Sequence, residues 1–281
     1  MKLQVIGDPV LHSKSPVIQG AMLRALGLDS PYTARVVRRG ELPQYLAWAR
    51  DNGVTGFNAT MPHKEDLIPL LDEIDPAARA VGAVNTVCLR EGKWVGFNTD
   101  GGGAVAALKD GLGVDPDGMT VTLLGAGGAA KAVALALSQA GAGRVFVCNR
   151  TLARAEELCA HDYLGRLAPE GFGGDVLRRC VAQSRLLVNC TNLGMEGCPH
   201  QFEGFGFVDA LSPDAGVFDL IYHPAETQLL AHARRRGLRT LNGLPMLVWQ
   251  AVLALERFLD RPLDRPAMAA AATVALNQNS R

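Results

Sequence analysis

Apolar and polar positions along this chain switch repeatedly between two periods, and the switches mark its elements. Leu3–Ile6, Tyr32–Val37 and Val54–Asn58 are short apolar or alternating runs that predict strands. Pro16–Leu26 has a proline suited to a first helical turn, followed by Val17, Met22, Leu23 and Leu26 at helical spacing. Leu42–Arg50 repeats the helical pattern until Gly53 stops it, and Lys64–Leu71 reads as a further helix. Thr86–Arg90 and Trp94–Phe97, joined by Glu91-Gly92-Lys93, read as a hairpin. Helix Ala104–Leu112 then runs into a stretch punctuated by Gly111, Gly113, Pro116 and Gly118. Beyond it, strands are predicted at Thr120–Leu124, Arg144–Cys148, Leu186–Cys190, Val217–Ile221 and Arg239–Leu241. Helices are predicted at Lys131–Ala140 and Thr227–Arg236, and Met246–Leu259 and Pro266–Leu276 form a helical tail. Residues 161–181 carry no readable period.

This alternation predicts an α/β protein whose sheets are mainly parallel and wrapped by helices. The expected division is an N-terminal α/β domain over residues 1–103, a Rossmann-type domain over 104–241, and C-terminal helices over 242–281. A length of 281 residues suffices for two such domains, and 48% hydrophobic residues suffice for their cores. Net charge is zero, which argues against a nucleic-acid or membrane-surface partner. No apolar run approaches the roughly 20 residues that cross a bilayer. The N-terminus, Met1 to Gly7, reads as a strand and not as a signal peptide. Cysteines 88, 148, 159, 180, 190 and 198 form no Cys-x-x-Cys pair. Several lie in apolar runs, as Cys148 does after Val145-Phe146-Val147, and read as small buried hydrophobes in a reducing cytoplasm. The histidines show no metal-ligand spacing, so no metal is expected.

Gly125-Ala126-Gly127-Gly128-Ala129-Ala130 follows a predicted strand and opens a predicted helix. In that context Gly125 makes the tight turn, Gly127 lets backbone approach a pyrophosphate, and Ala130 permits close helix–strand packing. The plainer reading is a tight strand–helix turn without a ligand. The next strand ends in Asn149-Arg150-Thr151, with Arg154 one turn on. An acidic residue there would favour NAD, whereas an arginine can take the 2′-phosphate of NADP through charge-assisted bonds. The competing reading is that Arg150 and Arg154 are solvated surface charges.

Polar residues cluster in the loops of the first domain. His12-Ser13-Lys14-Ser15-Pro16 precedes a helix, where two hydroxyls can bind a carboxylate, or where Ser15 simply caps the helix. Lys64 ends Asn58-Ala59-Thr60-Met61-Pro62-His63-Lys64 in a first helical turn, a position the helix dipole disfavours for a cation. Asp100 ends Asn98-Thr99-Asp100, and it too is a possible helix cap. A lysine and a carboxylate that converge can move a proton to or from an alcohol oxygen. Together with a nucleotide loop they indicate a dehydrogenase acting on an alcohol or ketone.

These motifs, in this order, resemble the shikimate dehydrogenase family. The resemblance runs from Gly7-Asp8-Pro9-Val10 through Gly82-Ala83-Val84-Asn85-Thr86 and Asn189-Cys190-Thr191-Asn192-Leu193-Gly194-Met195. It continues through Asp219 to Tyr222-His223-Pro224 and ends at Gly243-Leu244-Pro245-Met246-Leu247-Val248-Trp249-Gln250. It implies NADP-dependent interconversion of 3-dehydroshikimate and shikimate, in aromatic amino-acid and chorismate biosynthesis. Lys64 and Asp100 match the catalytic pair, and Ser13 and Ser15 the residues holding the substrate carboxylate. Thr60, Asn85, Tyr222 and Gln250 match positions around the substrate ring. Gly125, Ala126, Gly127, Gly128, Ala129, Asn149, Arg150, Thr151 and Arg154 match the dinucleotide site. Met195, Leu220, Gly243 and Met246 match the nicotinamide pocket.

The resemblance further implies a first domain that binds substrate and a second that binds NADP. The tail helices then return to the first domain, and the protein is a monomer or homodimer. Pro245, Asn242 and Trp249 depart from the usual family residues and bear on the fit of the helix carrying Gln250. The main alternative is a quinate/shikimate dehydrogenase with quinate as a main substrate. Ser15 and Arg150 favour shikimate and NADP. A nucleotide-binding scaffold without chemistry would have little reason to keep both Lys64 and Asp100. A reductase of folate or glutamyl substrates would not be expected to carry the paired serines and the terminal glutamine.

Overall fold

The computed structural model describes residues 1–279. The chain forms two compact units, one made of Met1–Thr99 with Val248–Arg281 and the other of Asp100–Leu247.

The first unit opens with β1 (Leu3–Gly7), α1 (Ser15–Ala25), β2 (Tyr32–Val36), α2 (Leu42–Asp51) and β3 (Gly56–Ala59). It continues with α3 (His63–Asp66), a 3-10 turn at Ile68–Leu70, β4 (Glu73–Ile74), α4 (Pro76–Val81), β5 (Thr86–Arg90) and β6 (Lys93–Phe97). The strands form a sheet in the order β2-β1-β3-β5-β6-β4. β1 pairs in parallel with β2 and β3, and β4 with β6, while β3–β5 and β5–β6 are antiparallel. The antiparallel element is the predicted hairpin. Its turn residues Glu91 and Gly92 both have positive φ, 50° and 78°, as the hairpin turn matching strand twist requires. The helix expected over Lys64–Leu71 is shorter than its pattern. Pro69 offers no N–H and its ring crowds the preceding turn, so the α-helix stops at Asp66 and a 3-10 turn follows.

The second unit comprises α5 (Asp100–Leu112), β7 (Thr120–Leu124), α6 (Gly128–Gln139), β8 (Arg144–Cys148), α7 (Leu152–Cys159) and β9 (Leu167–Glu170). After these come α8 (Gly174–Ala182), β10 (Leu186–Asn189), a 3-10 turn at Val208–Ala210, β11 (Gly216–Asp219), α9 (Gln228–Arg235) and β12 (Arg239–Leu241). Every pairing is parallel, in the order β12-β11-β10-β7-β8-β9. The sheet therefore grows outward from β7 in one direction, then from β10 in the other, which is the doubly wound arrangement. β7, β8, β10 and β11 are buried apolar strands, as expected of a parallel sheet covered on both faces. Cys148 and Cys180 lie in its core, and Cys88 in that of the first unit.

The chain ends with α10 (Leu244–Leu259) and α11 (Arg265–Asn279). From Val248 onward these belong to the first unit, where they cover α1 and the sheet. A Cβ on Gly56 of β3 would meet the Phe258 ring at 2.7 Å, so glycine there is what lets α10 lie on the sheet. Gln19 Nε2 of α1 donates to the Ala251 carbonyl at 3.0 Å. On the sheet itself Phe57 packs edge-on against Tyr45 and Trp94, with ring centroids 5.2 and 5.5 Å apart.

Candidate active site

In the first unit the expected site residues lie at the carboxyl ends of β1 and β3, and at the start of β5, which is antiparallel to β3. The β1 and β3 ends are in close contact, since a Cβ on Gly7 would collide with the Thr60 side chain. Ser15 is the first residue of α1 and not its cap. The cap position is Lys14, with no side-chain cap, and the Ser15 N–H at the helix start is taken by the Ser13 hydroxyl at 3.2 Å.

From Tyr32 a buried polar chain crosses the sheet. The Tyr32 hydroxyl donates to Asn58 Oδ1 at 2.6 Å, and Asn58 Nδ2 donates to the Asn85 carbonyl at 3.1 Å and to Thr86 Oγ1 at 2.9 Å. Thr86 Oγ1 donates to Asn85 Oδ1 at 2.9 Å, and the same oxygen accepts the Thr99 N–H at 2.9 Å. Asn85 Nδ2 donates to Thr99 Oγ1 at 3.0 Å. The residue before Asp100 is thus held by Asn85 through both backbone and side chain. Lys64 is half-buried in α3, with its carbonyl accepting the Val84 N–H at 2.7 Å. His63 beside it is fully buried, and its Nε2 lies 2.7 Å from the Val37 carbonyl. A carbonyl only accepts, so Nε2 carries the proton. Gln250 is half-buried on α10.

In the second unit the expected residues all lie beyond the carboxyl ends of parallel strands: the glycine loop after β7, Asn149 to Arg154 after β8, Met195 after β10, Leu220 and Tyr222 after β11, and Gly243 and Met246 after β12. Gly125 sits between the ends of β7 and β10, where the direction of sheet growth reverses. It has φ 107°, and a Cβ there would press on Thr191 at 3.2 Å and on the Cys190 backbone at 3.3 Å. α6 begins at Gly128, three residues ahead of the expected Lys131, behind an extended Gly127 with no side-chain cap. Gly127, Gly128 and Ala129 are exposed, and nothing stands within 4 Å of a Cβ built on Gly127 or Gly128. Such an open, uncapped helix start fits the pyrophosphate of a dinucleotide. Asn149 Nδ2 donates to the Thr151 carbonyl at 2.8 Å and shapes the turn that presents Arg150 and Arg154, both exposed.

Two residues of the second unit had no role in the sequence reading, although Asp219 stands in one of its motifs. Glu170, from the unreadable segment, ends β9 opposite Cys148, and its carbonyl accepts the Asn149 N–H at 3.1 Å. An acidic residue therefore does stand beside the end of β8, contrary to the reading of the β8 run alone. Its carboxylate is paired with Arg179 of α8 at 2.8 Å. The second is Asp219, fully buried at the end of β11. It accepts from Thr227 Oγ1 at 2.6 Å, Asn189 Nδ2 at 2.9 Å and the Ile221 N–H at 3.1 Å. Asn189 in turn accepts from the Thr191 hydroxyl at 2.7 Å. One carboxylate thereby fastens the loops carrying Met195, Leu220 and Tyr222. An aspartate closing an apolar strand was the available signal.

Burial raises the Asp219 carboxyl above its ordinary value, against the opposing effect of its hydrogen bonds. A raised folded value means that the folded chain holds this proton more tightly than the unfolded chain does. Its contribution is therefore fully present below the unfolded pKa and is lost as pH rises through the folded one. Asp219→Asn keeps the shape but not the titration, and it mismatches one of the donors, at a cost of roughly 1–3 kcal/mol. The variant is expected to melt several degrees lower at neutral pH. Its deficit against the parent should widen as pH falls towards the ordinary aspartate range, measured by calorimetry at several pH values. A deficit independent of pH would show that Asp219 does not titrate in that window.

Asn242, one of the family departures, caps α10: its Oδ1 accepts the Leu244 N–H at 3.1 Å, and its Nδ2 donates to the Ala225 carbonyl at 2.9 Å. Pro245 falls in the first turn of α10, where a missing N–H costs nothing. Trp249 is buried on the same helix. A Cβ on Gly243 would collide with the Leu220 carbonyl, which explains glycine at that position. Among the described residues no group of His, Cys, Asp or Glu is arranged to hold a metal ion, and no helix is long and apolar enough to cross a membrane.

A doubly wound parallel sheet with a glycine loop at its switch point, in a chain whose other α/β unit carries a lysine among hydroxyl and amide side chains, defines the class of dinucleotide-dependent α/β dehydrogenases. Comparison with known proteins narrows the class. Residues 5–87 match the shikimate dehydrogenase substrate binding domain, 109–191 the shikimate / quinate 5-dehydrogenase profile, and 243–273 the shikimate 5′-dehydrogenase C-terminal domain. Shikimate dehydrogenase (NADP(+)) of Geobacter metallireducens is 44% identical over 258 residues, which are 90% of this chain and 89% of the relative. The crystal structure of shikimate 5-dehydrogenase from Thermus thermophilus in complex with NADP(H) and shikimate has a TM-score of 0.83 and 37% identity, covering 98% of this chain and 99% of that one. Quinate dehydrogenase from Corynebacterium glutamicum in complex with NAD has a TM-score of 0.85 and 31% identity, covering 96% of this chain and 98% of that one. The chain belongs to the shikimate dehydrogenase family.

Proposed function

We propose that this chain catalyses the reversible, NADP-dependent interconversion of 3-dehydroshikimate and shikimate, a step of aromatic amino-acid and chorismate biosynthesis. The carrying observations, each within its own unit, are an open glycine loop at the switch point of one sheet and Ser13, Ser15, Thr60, Lys64 and Asn85 about the strand ends of the other. Relatives named for this activity support the reading.

Gly125 to Ala129 and the first turn of α6 hold the pyrophosphate of NADP, and Arg150, supported by Arg154, holds its 2′-phosphate. The bound nicotinamide supplies or accepts the hydride. Ser13 and Ser15 bind the substrate carboxylate, while Thr60, Asn85, Tyr222 and Gln250 orient the ring through its hydroxyls. In reduction, the Lys64 ammonium stabilises negative charge developing on the ketone oxygen and gives it a proton. In oxidation, neutral Lys64 takes the alcohol proton. Asp100 is the carboxylate of the proposed catalytic pair.

Shikimate is favoured over quinate by Ser15, and NADP over NAD by Arg150. The 44% identity to the NADP-dependent relative, against 31% to the quinate enzyme in complex with NAD, points the same way. Initial rates with shikimate and quinate, each with NADP and NAD, test the reading. kcat/KM is expected to be highest for shikimate with NADP. Quinate turnover equal to or better than shikimate turnover would replace the proposal with the quinate reading.

A further inference from the structure

We infer that Thr86 is a positioning residue for substrate binding: its buried hydroxyl, held by Asn58, turns the Asn85 amide so that Asn85 meets the substrate ring as a hydrogen-bond donor. The inference rests on the proposed role of Asn85. Thr86 stands in the Gly82-Ala83-Val84-Asn85-Thr86 motif without a role of its own. It opens β5 level with Asn58 of β3, and Asn58, Asn85, Thr86 and Thr99 are all buried, so water does not replace their bonds to one another.

Two backbone groups set the direction of the protons among these four residues. The Asn85 carbonyl only accepts, so the Asn58 atom 3.1 Å from it is the amide nitrogen. The second proton of that nitrogen goes to Thr86 Oγ1 at 2.9 Å. Thr86 has one hydroxyl proton, and it goes on to Asn85 Oδ1 at 2.9 Å. At the other end the Thr99 N–H only donates, and it reaches the same Oδ1 at 2.9 Å. Thr86 and the Thr99 N–H thus occupy both lone pairs of the Asn85 oxygen. Nδ2, which donates to Thr99 Oγ1 at 3.0 Å, is the edge of Asn85 left to bind a ring oxygen. The backbone of Asn85 does not depend on Thr86. Its N–H donates to the Phe97 carbonyl at 3.0 Å, and its carbonyl accepts the Ala59 N–H at 2.9 Å. Loss of the Thr86 hydroxyl therefore loosens the amide and spares the frame that carries it.

Thr86→Val keeps the shape and removes the hydroxyl. The KM for shikimate is expected to rise about fivefold, as for loss of one hydrogen bond, with the KM for NADP nearly unchanged. A merely structural role would lower the fraction of folded enzyme, which reduces kcat per total protein and leaves KM alone. Thr86→Ser restores the hydroxyl without the methyl group and should return the shikimate KM close to that of the parent. Asn85→Ala completes a double-mutant cycle, in which Thr86→Val added to Asn85→Ala should cause little further rise.

An unchanged shikimate KM in Thr86→Val beside an impaired Asn85→Ala, additive losses in the cycle, or no recovery in Thr86→Ser would each overturn the inference. An Asn85→Ala enzyme with unchanged shikimate KM would instead overturn the assignment of Asn85, and the inference with it. A parent chain that does not oxidise shikimate would overturn the proposed function itself, before any variant is compared. If Thr86→Val does not fold, NMR of the isotope-labelled parent chain carries the test. The Thr86 hydroxyl proton should exchange slowly with water, and the Asn85 Nδ2 protons should shift on saturation with shikimate. A rapidly exchanging hydroxyl, or Nδ2 protons that do not move, overturns the inference.

Discussion

Lys64→Ala is expected to lower kcat for shikimate oxidation by about a hundredfold or more, the low end for loss of a general acid–base group. That corresponds to roughly 2.7 kcal/mol of transition-state stabilisation, at about 1.36 kcal/mol per decade. Shikimate binding should weaken far less, because the proposed carboxylate and ring contacts come from other side chains. The substitution should spare the fold. The Lys64 backbone is pinned by the Val84 N–H at 2.7 Å, and the turn is anchored through buried His63, whose N–H donates to the Thr60 carbonyl at 3.0 Å. None of these bonds uses the lysine side chain. Lys64→Arg provides a second reading of the same role. A guanidinium keeps the positive charge but does not release its proton near neutrality, so oxidation should remain impaired while binding recovers. Single-turnover and steady-state rates, together with direct shikimate binding, give both quantities. If kcat is little changed in Lys64→Ala, the proton travels through another group, and Tyr222 becomes the first candidate.

The glycine loop and Lys64 were legible because each follows a strong pattern: an apolar strand running into glycines, and a cation where a helix start disfavours one. The same was true of most strands and long helices, whose ends shift by only a few residues. Local patterns failed where one residue or a tertiary contact decided the outcome. Pro69 cut the helix beginning at His63 to a single turn. β4 has only Glu73 and Ile74, too short for any period, and exists because β6 lies beside it. β9 reads Leu-Ala-Pro-Glu, and its proline is tolerated because β9 is the edge strand of its sheet. Gly173 and Gly174, at the cap and first position of α8, hid that helix.

The residues left without a role share a different cause. Glu170, Asp219 and Tyr32 act through partners on other strands and helices, and sequence spacing does not report such partners. Ser15 illustrates the same limit at short range. The helix start was legible, but that Lys14 takes the cap position, with the Ser13 hydroxyl accepting the Ser15 N–H, depends on a backbone turn that sequence leaves open.

Arg150→Ala is expected to raise the KM for NADP by about tenfold or more while leaving that for NAD nearly unchanged. The basis is a dianionic 2′-phosphate meeting a guanidinium at the end of β8. A charge-assisted hydrogen bond contributes roughly 1.5–3 kcal/mol, or about one to two decades in affinity. Glu170 complicates the simple picture of an arginine in an acid-free pocket, because β9 brings its carboxylate next to the same strand end. Left unpaired, that charge would repel the phosphate and offset part of what Arg150 contributes. Arg179 holds it at 2.8 Å and opposes its charge. Arg179→Ala should therefore weaken NADP in the same direction as Arg150→Ala but by less, and Glu170→Gln in that background should restore it. Arg150 and Arg179 are solvent-exposed, so both effects should shrink as salt rises and the Debye length falls below about 10 Å. KM for each cofactor at two ionic strengths decides the matter. A variant that weakens NADP and NAD equally would mean that Arg150 supports the loop and does not read the phosphate.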